Sequence, residues 1–239
     1  MLMRRIFAIV FTIVGLGVGS VCGQVANLAS FDEHMMHYGI QIGYAGSKLD
    51  VRFAENDSVR GSLWNTNSYY TAGFHISVIG DLRLGKHFSL RALPGVALLT
   101  RNVDYSWNPD YEALHPNADK RRTVESVYGD LPIEFKYKAM RHENFRPYVT
   151  AGASYGFDFA SLRKNKNNNN ASIIRLDAND IRYSMGVGVD FFLAYVKFAI
   201  ELKMNFGVLN LRVDDDDLYT LSTDKLNSRT YMICFTFEG

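Results

Sequence analysis

Apolar and polar residues alternate with a period of two along much of the chain, as in VKFAIELKMNF at 196–206. Val196, Phe198, Ile200, Leu202, Met204 and Phe206 fall on one face, and Lys197, Ala199, Glu201, Lys203 and Asn205 on the other. Successive side chains of a strand point to opposite sides, so the pattern predicts a β-strand with one apolar and one polar face. Seven further stretches repeat it, at 38–45, 70–78, 88–98, 127–136, 149–157, 181–190 and 231–238. No segment after residue 23 shows a helical period. The expected fold class is all-β.

The connections sort into two kinds. Those at 83–87, 139–144 and 192–195 are short, whereas those at 52–67, 104–122, 160–179 and 207–228 are long and polar. Strict alternation of tight and long connections predicts an eight-stranded antiparallel up-and-down transmembrane β-barrel of the outer-membrane type, with its short turns periplasmic. A soluble lipocalin-like barrel also has eight strands. Two features weigh against it. The bulky, often aromatic row would have to fill the interior, and the other row is rich in Gly, Ala and Ser, which suits a narrow lumen. The apolar rows therefore face lipid.

That inversion sends charges inward. Asp81, Arg91, Asp130, Glu134, Lys136, Arg182, Asp190, Lys197, Glu201 and Lys203 all fall on polar rows and are expected to form a structural network of lumen charges. Lone buried charges cost several kcal/mol, so these need one another. An eight-stranded barrel is just wide enough to be filled by its own side chains, which predicts a plug and no conducting channel. Pro94 and Pro132 lack a ladder N–H and are expected to mark bulges, while Pro147 is expected to open its strand. The last strand carries Phe235 and Phe237 ahead of Glu238-Gly239.

Composition agrees with this picture. Hydrophobic residues make up 47% and aromatics 13%, with 14 Tyr and 16 Phe. Mean hydropathy is −0.10, too low for a helical membrane bundle. The net charge of +1 and the absence of a basic patch argue against nucleic acid as a partner. Residues 1–23 read as a signal peptide: Arg4 and Arg5 precede a short apolar run that ends near Val21. Cleavage before Gln24 leaves 24–239 as an outer-membrane β-barrel domain. Acylation of Cys22 after cleavage is the alternative, though Val21 is a poor residue to precede it.

Little chemistry stands out. The carboxylates of 214–217 lack the spacing of a calcium loop, and the asparagine tract 167–170 reads as a loop tip. His34 and His37 have no Cys or carboxylate at metal spacing, so no metal site is expected. Ser58, Ser62, Ser68, His115 and Asp104 are the candidates for a catalytic rim, and none sits in a nucleophile motif. No catalytic residue, cofactor or small-molecule substrate is expected.

Three segments carry a resemblance. VESVYGDLPIEFKYKAMRHENFRPYVTAGASYGFD at 124–158, DIRYSMGVGVDFFLAYVKFAIELKMNFG at 180–207 and HYGIQIGYA at 37–45 resemble the PorT family of the type IX secretion and gliding-motility apparatus. Asp190-Phe191-Phe192 and Glu201-Leu202-Lys203 are its more discriminating pieces. The resemblance implies a non-enzymatic accessory or assembly component needed for cargo export, with the outer-membrane bilayer and other secretion proteins as partners. It offers no catalytic residues. The alternative is a stand-alone barrel, either an adhesin or a lipid-modifying enzyme, acting through its outer loops. If docking is periplasmic, the turn bearing Lys138, Arg141 and His142 is the most charged candidate.

Overall fold

The computed structural model describes residues 27–53, 63–114, 121–161, 176–212 and 223–239. The signal segment with Cys22, the residues Ser58, Ser62 and His115, the asparagine tract 167–170 and the acidic run 214–217 lie outside them. The strands are β1 (Met36–Phe53), β2 (Leu63–Tyr69), β3 (Thr71–Arg83), β4 (Phe88–Ala92), β5 (Gly95–Trp107) and β6 (Arg121–Lys138). They continue with β7 (Phe145–Asp158), β8 (Asn179–Phe192), β9 (Lys197–Gly207) and β10 (Thr223–Glu238). Among the described residues short helical pieces appear that the periodicity did not predict, including a 3-10 turn at Phe31–Glu33 and α1 at Pro109–Leu114.

All pairings between these strands are antiparallel, and they close into a ring. β1 pairs with β3 on one side (Ile40 opposite Val78) and with β10 on the other (Ile40 opposite Phe237). The β2–β3 and β4–β5 pairs each form one interrupted stave, so the barrel has eight staves. At the level of the β1–β3 pairing this closure leaves no free edge, which lets the ladder groups there be satisfied inside a bilayer, whereas β2 further out pairs with β5 alone.

The break between β2 and β3 is a bulge. Gly73 lies opposite Leu99 but Tyr69 lies opposite Asn102, so β2–β3 holds one residue more than β5 there. Tyr69 and Tyr70 are consecutive and both exposed as a result. The expected proline bulges are absent. Ala92 opposite Ile133 and Gly95 opposite Asp130 keep step across Pro94 and Pro132. Each proline sits where its carbonyl alone is used: Val78 N–H donates to Pro94 O at 3.0 Å, and Leu93 N–H to Pro132 O at 3.0 Å. Pro147 is the third residue of β7 rather than its opener, and its carbonyl accepts from Ala139 N–H at 3.0 Å.

The outward rows are apolar: Tyr38, Ile40, Phe74, Ile76, Ile133, Phe135, Met185, Val187, Leu202 and Ile233 are all exposed. A lipid-facing belt accounts for this, since water would not tolerate such a surface. Above the belt the pattern flips phase. On β5 the outward row passes from Val96 and Leu98 to Thr100, Asn102 and Asp104, while the inward row passes from Arg101 to Val103, Tyr105 and Trp107. Leu49, Val124 and Leu226 turn inward at the same level and pack with Leu176 and Leu211. The strands thus continue past the membrane as a water-facing barrel with an ordinary apolar core. Among the described residues no helix is long and apolar enough to cross a membrane, so the strands do the crossing.

Candidate functional site

Below the apolar cap the lumen is filled by charge. All ten expected network residues are buried, and the buried cations and anions among the described residues are equal in number. Arg91 on β4 reaches across the barrel to Glu201 on β9, with Nη1 to Oε2 at 3.0 Å. Its other nitrogens lie 4.0 Å from Asp81 and 3.9 Å from Glu238. Lys203 bridges Glu134 at 2.8 Å and Glu201 at 3.3 Å. Lys136 meets Asp190 at 2.8 Å, Arg182 meets Asp130 at 2.7 Å, and Lys197 meets Glu238 at 2.5 Å.

Neutral side chains complete the shell. Tyr148 O–H donates to Glu201 at 2.8 Å, and Thr150 donates to its other oxygen at 3.3 Å. The ammonium of Lys136 sits 3.6 Å from the centre of the Tyr148 ring. Such cation–π contact adds to the pairing where water is scarce. Space for these long chains comes from inward glycines. A Cβ on Gly186 would lie 2.4 Å from Thr150 Oγ1 and 2.9 Å from Glu201 Oε1.

The periplasmic mouth is closed by the segment that precedes β1. The 3-10 turn inserts Phe31, which stacks on His37 at 4.0 Å between ring centres and lies under the Lys197 ammonium at 4.7 Å. Asp32 pairs with Arg146 at 2.8 Å. Burial of Asp32 would raise its pKa, but the hydrogen bond and charge of Arg146, with Lys138 and Arg141, outweigh that and hold the carboxyl below its usual range. Arg141 donates to the carbonyls of Asn27 and Leu28 and lies 3.7 Å over the Phe192 ring.

These contacts change the picture of the expected docking turn. Lys138 ends β6 and is only 5% exposed. Arg141 is spent on tying down the N-terminal segment, which leaves His142 as the exposed member, edge-on to Phe145. Ser68 and Asp104 are likewise engaged. Ser68 Oγ accepts from Leu49 N–H and donates to Asn102 O, and Asp104 accepts two bonds from Arg121.

Several members of the network were not singled out from sequence. Glu238 lies on the polar row of the last strand, and Asp180 shares the inward parity of Arg182, so row parity was the signal for both. Arg101 lies beyond the alternation read at 88–98, Arg146 lies near the start of β7 and Tyr148 carries a ring, so parity alone does not mark them as lumen-facing.

An eight-staved closed barrel with an apolar belt outside and a paired-charge plug inside is a small outer-membrane β-barrel protein. The chain belongs to the outer membrane protein beta-barrel domain family, whose sequence model matches residues 24–212. No curated protein matches the sequence. Among solved structures it is similar to the outer membrane protein OprG from Pseudomonas aeruginosa, at 16% identity and TM-score 0.42, over 85% of this chain and 94% of that one. It is also similar to Neisserial surface protein A, at 11% identity and TM-score 0.42, over 84% and 95%. A third is Ail, the attachment invasion locus protein of Yersinia pestis, at 14% identity and TM-score 0.39, over 86% and 100%.

Proposed function

We propose that this outer-membrane barrel is a non-enzymatic accessory or assembly component of the type IX secretion system, required for the export of cargo proteins. The observation that carries the reading is the closed lumen. The ten expected network charges are engaged with one another and the free Cys234 thiol is buried among them, which leaves work to the rims that other secretion proteins can touch. The process itself comes from the resemblance to the PorT family. The resembling segments hold much of the plug, including Glu134, Lys136, Arg182, Asp190, Glu201 and Lys203.

Deletion of the gene tests this, with the culture-fluid and surface proteomes as readout. Loss of a whole class of exported proteins, with precursors held in the periplasm, is the expected result. An intact secretome would remove the export role. A second reading, a stand-alone adhesin or lipid-modifying enzyme, is favoured by the separate apolar core above the lipid belt, which gives the outer end a rigid platform. It predicts that the intact secretome accompanies a defect in adhesion or in outer-leaflet lipid composition.

A further inference from the structure

The outward faces of β1 and β10 just above the lipid belt break a rule of sheet pairing. Like charges directly opposite each other on neighbouring strands repel. Yet Lys48 lies opposite Arg229, and four residues further out Arg52 lies opposite Lys225. Asp50, next along the same face, bridges the first pair, at 2.8 Å from Lys48 and 2.6 Å from Arg229. Arg52 and Lys225 are exposed and have no ion partner among the described residues.

The same spot is concave. β9 stops at Gly207, where Asn227 Nδ2 donates to its carbonyl at 3.3 Å and to that of Leu209 at 2.9 Å. β1 and β10 continue beyond that level and leave a ledge beside them. The ledge is a cleft of about 420 Å³ with Asp50, Arg52 and Arg229 on one side and Tyr183 and Phe206 on the other. Tyr183 stacks on Phe206 at 5.1 Å, and the Arg229 guanidinium lies 5.5 Å over the Phe206 ring. Below it the wall is exposed and apolar through Tyr231, Met204 and Leu202.

We propose that this cleft binds the phosphate-bearing headgroup of an outer-leaflet lipid, with its acyl chains lying against the Tyr231, Met204 and Leu202 wall. Asp50 already serves Lys48 and Arg229, so a dianionic phosphate set against Arg52 and Lys225, with Arg229 at its edge, relieves the pair that has no acid between its members, and Arg matches phosphate with its paired N–H donors. The position at the boundary of the belt favours a lipid over free phosphate, because the apolar wall directly beneath is the surface that acyl chains cover.

The test uses the full chain in phosphatidylcholine nanodiscs, with bound lipid counted by native mass spectrometry. Bisphosphorylated lipid A, its dephosphorylated form and inorganic phosphate serve as probes. The expected preference for the bisphosphorylated form is about tenfold or more, the equivalent of about 1.4 kcal/mol. R52Q/K225Q is expected to lose that preference, and R52K/K225R to keep it, with both retaining the heat-modifiable gel mobility of a folded barrel. Equal binding of the two lipids, or a preference that survives R52Q/K225Q, overturns the site. Displacement of the lipid by millimolar inorganic phosphate overturns the lipid assignment and gives the cleft to a soluble phosphate.

Discussion

Arg91 shows how tightly single residues are bound into the lumen. It is fully buried and faces Glu201, Asp81 and Glu238 at once. Removing one member of a buried pair strands its partner, which typically costs about 3–5 kcal/mol. Arg91→Met is expected to lower the unfolding free energy by that order in urea titrations of the refolded barrel. Adding Glu201→Gln removes the stranded charge as well, so the double variant should cost clearly less than the sum of the singles. Strict additivity would mean the two groups do not interact. Gly186→Val probes the same spot by volume. Its new Cβ would meet Thr150 and Glu201 inside 3 Å, and overpacking of this kind costs about 1–3 kcal/mol. Unchanged stability would show that the Glu201 carboxylate is not held against β8.

At the scale of elements, the periplasmic turn is held by a charge that titrates. The Asp32 carboxyl lies below its ordinary value of 3.8 in the folded protein. A depressed pKa means the native state favours the charged form. Its stabilisation is therefore complete above the ordinary value and is lost as pH falls through the lower, folded one. Protection of the Phe31 and Glu33 amides, which donate to Leu28 O and Ser30 O, should fall with acid in that window. Asp32→Asn should show the low protection at every pH. A flat profile in the wild type would mean that Arg146 does not anchor the turn. This element was not legible in the sequence, because three residues of 3-10 turn carry no period. The eight staves were legible, because each repeats the two-residue alternation. Their outer ends were not. Leu49, Val103 and Leu226 sit on rows that are polar lower down, so a reading that assigns each row one side of the wall misses the change of phase. The prolines misled for another reason: a bulge is one way to lose an N–H, and Pro94 and Pro132 use the other, in which the carbonyl alone pairs.

For the whole molecule, the lipid belt and the plug together define what the barrel can do. A charge on the belt should cost about 2–4 kcal/mol at mid-membrane and far less near the rim. Leu202→Arg is expected to pay that penalty in vesicle refolding, whereas Thr100→Arg, on the outward row above the belt, should be close to neutral. Equal effects at the two sites would displace the membrane boundary drawn between Leu98 and Thr100. The plug was legible as a set of residues but not as a set of partners. Parity placed Arg91, Glu134, Glu201 and Lys203 in the lumen, yet which acid meets which base depends on barrel width and stagger, which periodicity does not encode. The central consequence of that pairing is a barrel that does not conduct. Single-channel recording of the purified chain in planar lipid bilayers measures it directly. A flat baseline in the wild type is the expected result, with steps appearing only when Arg91 and Lys203 are both replaced by alanine. Stable, ion-conducting steps from the wild-type protein would contradict the closed lumen, and with it the assignment of function to the rims.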